Sequence, residues 1–168
     1  MDKLDIVTDE SGNEVVLLPE IIFSNKQNIN WNDVEDYLGK YVGELIEIAE
    51  TRDIIYIGNK FPDEYGGSSY TRKTKGARAK AKANAAQGIR EMVEIATDKV
   101  YRENHKEKHS EDAHNGWFYY VTRFAIPLYN NEKKTGEYNV YSACLVVNHA
   151  ANGKMYLYDV VGIKKEAS

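Results

Sequence analysis

Between Arg72 and Lys82 the chain carries six cations, Arg72, Lys73, Lys75, Arg78, Lys80 and Lys82, with no acid among them. Positive charge this concentrated is felt by a polyanion whatever the net charge, because attraction to phosphate is screened within about 10 Å at ordinary salt. A solvated helix face is the plainer reading of the same residues. A second grouping is aromatic. On two strand-like runs near the C-terminal end, Tyr119, Arg123, Tyr156 and Tyr158 fall on the side left free when the more apolar set turns inward. A planar guanidinium among phenol rings can grip a phosphate while bases stack on the rings, although tyrosine is also simply a good strand residue. His105 and His109 stand one helical turn apart, and His114 follows. A metal fits them poorly: Lys106 and Lys108 crowd the pair with positive charge, no Glu directly follows the first His, and no third ligand is placed. Proton transfer to or from a phosphate ester suits His109 and His105 better, since imidazole titrates near neutrality. His149, at a hairpin end, reads as a surface residue.

The elements that must position these residues follow from pattern. Leu4 to Leu18 alternates weakly around the polar turn Asp9-Glu10-Ser11-Gly12-Asn13, which predicts a small hairpin. Trp31, Val34, Leu38 and Tyr41 recur at helical spacing with Asn30 or Asn32 as N-cap. Glu44–Ile48 and Ile54–Ile57 read as a second pair of short strands. Phe61 to Ser68 is loop by its Pro62 and paired glycines. Ser69 to Gln87, rich in Ala, Lys and Arg, predicts one helix ending at Gly88. Met92 to Ala96 reads as a strand and Arg102 to Asn115 as a polar helix. Trp117–Leu128, Tyr138–Val147 and Met155–Ile163 then form an antiparallel meander whose second join holds Asn152-Gly153. The expected fold is α+β: helices packed on a C-terminal antiparallel sheet of about four strands. Residues 1–42 form a small appendage of hairpin plus short helix, and residues 43–168 the main domain.

Composition bounds the rest. A chain of 168 residues with 42% apolar content supports one buried core. Charge is uneven: residues 1–69 hold five Lys and Arg against fifteen Asp and Glu, and residues 70–108 hold eleven against five. The single Cys144, inside an apolar run, reads as a small core hydrophobe. No run is long enough to cross a bilayer and the N-terminus lacks a signal-peptide layout, so a cytoplasmic protein with no membrane partner is expected, in its producer or in a recipient cell. No Gly-Lys-Ser/Thr follows Gly66-Gly67, which disfavours a nucleotide hydrolase, and no cofactor is called for.

Several stretches carry a family resemblance: Phe61-Pro62-Asp63-Glu64-Tyr65, Lys80 to Gly88, Glu94 to Thr97, Lys108-His109, Gly116-Trp117, Thr122 to Ala125 and Tyr156 to Asp159. From about Tyr41 to Glu166 the chain resembles the nuclease-like domain of large polyvalent proteins from phages and conjugative elements, grouped with the barnase/EndoU/colicin/RelE-like ribonucleases. The resemblance implies helices followed by a four-stranded antiparallel sheet with its site on the open face. It also implies metal-independent RNA cleavage by attack of the 2′-OH, in a toxin or effector carried with mobile DNA. In that chemistry His109 is general acid or base, Arg123 clamps the phosphorane, and Tyr158 hydrogen-bonds or stacks near the scissile nucleotide. Lys80, Lys82 and Lys108 then hold backbone phosphates, with Tyr119 and Tyr156 on the substrate face. RNA is the expected partner and a cognate immunity protein a second one. Two other readings stay open: a non-catalytic module that docks nucleic acid or protein on the same surface, and an immunity or antitoxin protein, which suits the net charge of -4.

Overall fold

The computed structural model describes residues 3–24, 28–103 and 116–167. The N-terminal hairpin forms as its polar turn requires: β1 (Ile6–Thr8) and β2 (Glu14–Leu17) pair antiparallel, and the Asp9 carboxylate accepts the backbone N–H groups of Ser11 and Asn13, both at 2.9 Å. Helix α1 (Trp31–Leu38) starts where Asn30 accepts from the N–H of Asn32 and Asp33, and it buries Val34 and Leu38. Strands β3 (Leu45–Glu47) and β4 (Ile54–Tyr56) then pair antiparallel.

From Phe61 onward the local readings need correction. The Pro-Gly stretch expected as loop is helix α2 (Phe61–Gly67). Proline is tolerated in the first helical turn, and Phe61 and Tyr65, four apart, are buried on one side. The single helix expected over 69–87 is two. In α3 (Ser69–Lys73) the side chain of Ser68 caps the Thr71 N–H. Thr74 and Lys75 are extended, and α4 (Gly76–Ala85) begins again before a 3-10 turn over Ala86–Gly88. The strand expected at Met92–Ala96 is the end of α5 (Ile89–Glu94), whose Ile89, Met92 and Val93 are buried at three- and four-residue spacing. Arg102, expected to open a polar helix, closes β5 (Thr97–Arg102). Glu103 follows outside any helix, and residues 104–115 of that expected helix lie outside the described residues.

The meander is β6 (Trp117–Asn130), β7 (Lys133–His149) and β8 (Met155–Lys165). The first join is tighter than its composition suggests, because Asn131 and Glu132 both take positive φ (51° and 68°), the geometry of a two-residue hairpin. The fold class stands as α+β, but the sheet has eight strands rather than about four, and it is mixed rather than antiparallel. Its order is β1-β2-β6-β7-β8-β4-β3, with β5 also paired to β6; β2 joins β6, and β4 joins β8, in parallel. Short strands of three or four residues carry too little pattern to reveal which partner they will take, so the two outer hairpins were legible as hairpins but not as parts of this sheet.

The helices cover one face of the sheet, over Tyr120, Phe124, Leu145, Val147 and Leu157. The N-terminal segment is part of that core, since Val16, Leu18, Val34, Leu38 and Tyr41 belong to the same buried cluster. Polar groups fix it there. The Asn84 carboxamide accepts from the N–H of Ile22 and Phe23, and Gln87 donates to the carbonyl of Glu20 at 2.8 Å. Gly88 lies so close that a Cβ would stand 3.1 Å from Leu18 Cδ2.

Candidate ligand-binding site

Two hollows hold the residues with chemical potential. The first lies where α3 ends and α4 begins. The break at Thr74-Lys75 turns the cationic run outward, so that Arg72, Lys73, Lys75 and Arg78 are exposed and Lys80 half-buried. A hollow of about 570 Å³ opens there, lined by Arg72, Lys75 and Lys80 together with Trp31 from the start of α1. Gly76 and Ala77, the first two residues of α4, also line it, and no side chain caps that helix. Among the described residues none of the five cations forms an ion pair.

Lys82, two residues beyond Lys80, has the opposite fate. Its side chain is fully buried, with Nζ 2.6 Å from Asp159 Oδ1 and 2.6 Å from Thr71 Oγ1, beneath the rings of Tyr65 and Tyr70. Thr71 in turn donates to the Tyr65 carbonyl, and the Tyr65 hydroxyl donates to the carbonyl of Lys82. Burial pulls the ammonium below its ordinary value and pushes the Asp159 carboxyl above its own, each partly offset by the partner. Here Lys82, expected as a backbone-phosphate contact, ties α4 to β8 instead and has no solvent access.

The free side of the sheet separates the residues expected there. Arg123 Nε is paired with Glu166 Oε1 at 2.7 Å. Tyr158 meets the Trp117 ring edge-on, 5.1 Å between centroids. Trp117 is six residues from Arg123 along β6, roughly 20 Å at strand rise, so Arg123 and Tyr158 do not share a pocket. Trp117, Val146, Tyr119, Tyr158 and Val161 form a small apolar cluster on that side, with the Arg102 guanidinium over Tyr119. A bulge explains why Val161 rather than Val160 takes this side: Val146 pairs with Asp159 and Val147 with Leu157, leaving Tyr158 unmatched, and Val160 turns into the main core. Cys144, expected in the core, is half-buried between Val121 and Val161, and burial raises its thiol. His105, His109, His114 and Lys108 lie outside the described residues.

Tyr156 and Tyr158 do meet in the second hollow. This cleft of about 270 Å³ forms where the chain leaves β4 and turns into α2, against the ends of β7 and β8. Trp117, Asn148, Tyr156 and Tyr56 stand directly opposite one another across β6, β7, β8 and β4, which sets an amide between aromatic rings on one face. Asn148 is 8% exposed, and among the described residues its Oδ1 is a buried acceptor with no hydrogen-bond partner. An unsatisfied buried acceptor costs about 1–3 kcal/mol. Gly58 keeps the cleft narrow, since a Cβ there would be 3.3 Å from the Tyr156 ring. Glu64 and Lys60 complete its wall. Sequence reasoning reached the two tyrosines but missed Asn148, Gly58 and Trp31. The one available signal was a polar residue closing the apolar run Leu145-Val146-Val147.

Compared with family models, curated proteins and solved structures, the chain matches none. Among the described residues no helix is long and apolar enough to cross a membrane, and no group of His, Cys, Asp and Glu has the arrangement to hold a metal ion.

Proposed function

We propose that this domain binds single-stranded RNA at the turn between α3 and α4, without cleaving it. One observation carries the reading: in a chain of net charge -4, three cations, Arg72, Lys75 and Lys80, line a hollow with Lys73 and Arg78 close by in sequence, and among the described residues none of the five forms an ion pair. Cations without an ion-pair partner keep their charge for an external anion. Trp31 on the wall adds the stacking surface that single strands use and duplexes do not. The uncapped start of α4 adds backbone N–H groups suited to phosphate. Cleavage has less support, because Lys82 is spent on Asp159 and Arg123 on Glu166, away from Tyr158.

The test is equilibrium binding of a labelled single-stranded RNA to the wild type and to the Arg72→Gln/Lys75→Gln/Lys80→Gln variant. The variant should bind on the order of 100-fold more weakly at low salt, and the RNA should be recovered intact in EDTA. Equal binding would remove the turn as the site. Wild-type cleavage in EDTA that disappears in His109→Ala would establish the metal-independent ribonuclease in its place.

A further inference from the structure

The cationic hollow suits one end of a strand better than a length of it. Proteins that hold a strand along its course pair a charged groove with successive aromatic rings. Here, among the described residues, a single ring, that of Trp31, lines a space of about 570 Å³, within the range of pockets that enclose a small ligand. Its charge is concentrated as well. Arg72, Lys75 and Lys80 line it together with the uncapped start of α4, which adds a partial positive charge of about half a unit. None of the described residues lining it is acidic, whereas Glu64 lines the cleft beside Tyr156, and Glu47 and Glu94 line a third hollow at β3. Side chains of a helix lean toward its N-terminus, so Lys80, one turn beyond Gly76, leans toward the first turn of α4. Gly76 itself takes φ 63°, and a Cβ there would meet nothing within 4 Å; conformation rather than space calls for glycine, and the backbone of that turn stays uncovered.

We infer that the hollow receives the phosphorylated end of a single strand, with a terminal phosphate monoester at the start of α4 and the end base on Trp31. An internal phosphodiester carries a single negative charge. A monoester carries about −1.5 to −2 at pH 7 and presents three acceptor oxygens, and with the adjoining diester it brings about three charges, matching Arg72, Lys75 and Lys80. Stacking points the same way. A base inside a strand can be covered by neighbours on both sides, whereas the end base has one face free, and a single ring can take it. The backbone N–H groups of the first turn of α4 and the planar fork of Arg72 supply directional donors to the monoester oxygens. This inference rests on the RNA-binding reading and narrows its ligand from any single strand to an end. The chemistry is common to 5′- and 3′-phosphorylated ends, and the experiment separates them.

The experiment measures equilibrium binding of one RNA sequence in four forms: hydroxyl at both ends, 5′-phosphorylated, 3′-phosphorylated, and hydroxyl-ended but two nucleotides longer, which adds comparable charge as diesters. At least one phosphorylated form should bind roughly 10-fold or more tightly than the hydroxyl form, and the longer strand by no more than about twofold. The form that shows the gain names the end. The preference should shrink as pH falls from about 7.5 to about 5.5, because the monoester takes up a proton near pH 6, and among the described residues the lining holds no carboxylate or imidazole to titrate alongside it. Arg72→Gln and Lys80→Gln, each checked for folding by circular dichroism, should reduce the preference below about threefold, and Arg72 is exposed, so its variant keeps the fold. Equal affinity of the phosphorylated and hydroxyl forms, with normal salt dependence, overturns the end pocket and leaves RNA binding standing. A gain equalled by the longer strand, or retained in both variants, overturns it too. If no form binds, the RNA-binding reading fails and the end pocket falls with it.

Discussion

Asp159 and Asn148 are buried polar residues on adjacent strands, separated by the bulge at Tyr158, and their surroundings could hardly differ more. Asp159 has Lys82, Ser68 and the Val160 N–H as partners; among the described residues the Asn148 oxygen has none. A closed polar cluster spends its hydrogen bonds on holding α3, α4 and β8 together, and removing any member strands the others. An open polar group is instead a cost that the rest of the fold must offset. Burial alone therefore does not separate what stabilises from what costs; the count of partners does.

The largest effect should come from breaking the closed cluster. Asp159→Ala leaves a buried ammonium alone and should cost about 3–5 kcal/mol in urea denaturation. The deficit should shrink as pH rises. The lone Lys82 sheds its proton in the folded chain before the unfolded chain does, so over that window the unfolded state binds more protons and stability climbs. Replacing both partners, as Lys82→Met/Asp159→Leu, should recover most of the loss; a double variant as unstable as the single would mean that the cluster matters for more than charge pairing.

An intermediate case is Asp53. Burial would raise its carboxyl, but hydrogen bonds from Lys99, Tyr120 and Thr51 outweigh that and hold it below its ordinary 3.8. Its contribution is therefore complete above pH 3.8 and fades as pH falls through the lower, folded-state value. Asp53→Asn should cost roughly 1–2 kcal/mol at pH 7 and nearly nothing at strongly acid pH, by thermal melting against pH.

Asn148→Leu should move the other way, gaining up to about 1 kcal/mol because the orphaned acceptor is removed. A loss of stability there would erase the contrast with Asp159. The smallest effect belongs to Arg123→Gln. The pair with Glu166 is partly solvated, so stability should change by less than about 1 kcal/mol, and RNA affinity by less than about threefold. A large fall in affinity would return Arg123 to the binding surface.

What could be read from sequence divides along the same line. Local devices were legible: the Asp9 turn, the Asn30 cap and the meander with its Asn152-Gly153 join each state their geometry in a few adjacent residues. The cationic run was visible for the same reason. Long-range partners were not. Nothing beside Lys82 says that Asp159 waits for it across the core, while Lys80 faces a hollow, because both sit in the same alanine-rich helix. Likewise Tyr158 occupies a bulge that moves Val160 inward and Val161 outward, until a second register shift between Ser142 and Cys144 returns Ile163 to the core, so strict alternation misplaced Val160 and Val161. The site was half legible: its charges and two of its tyrosines could be found, but the orphaned amide becomes meaningful only when its surroundings are known.

The claim that an unneutralised cationic turn is the binding surface is tested most directly by the salt dependence of RNA affinity. For wild type, log affinity should fall linearly with log salt concentration, and neutralising Arg72, Lys75 and Lys80 together should make that slope shallower by about 2, from roughly 0.7 per phosphate contact in single strands. An unchanged slope in the triple variant would show that the phosphates are held elsewhere on the molecule and would contradict the account.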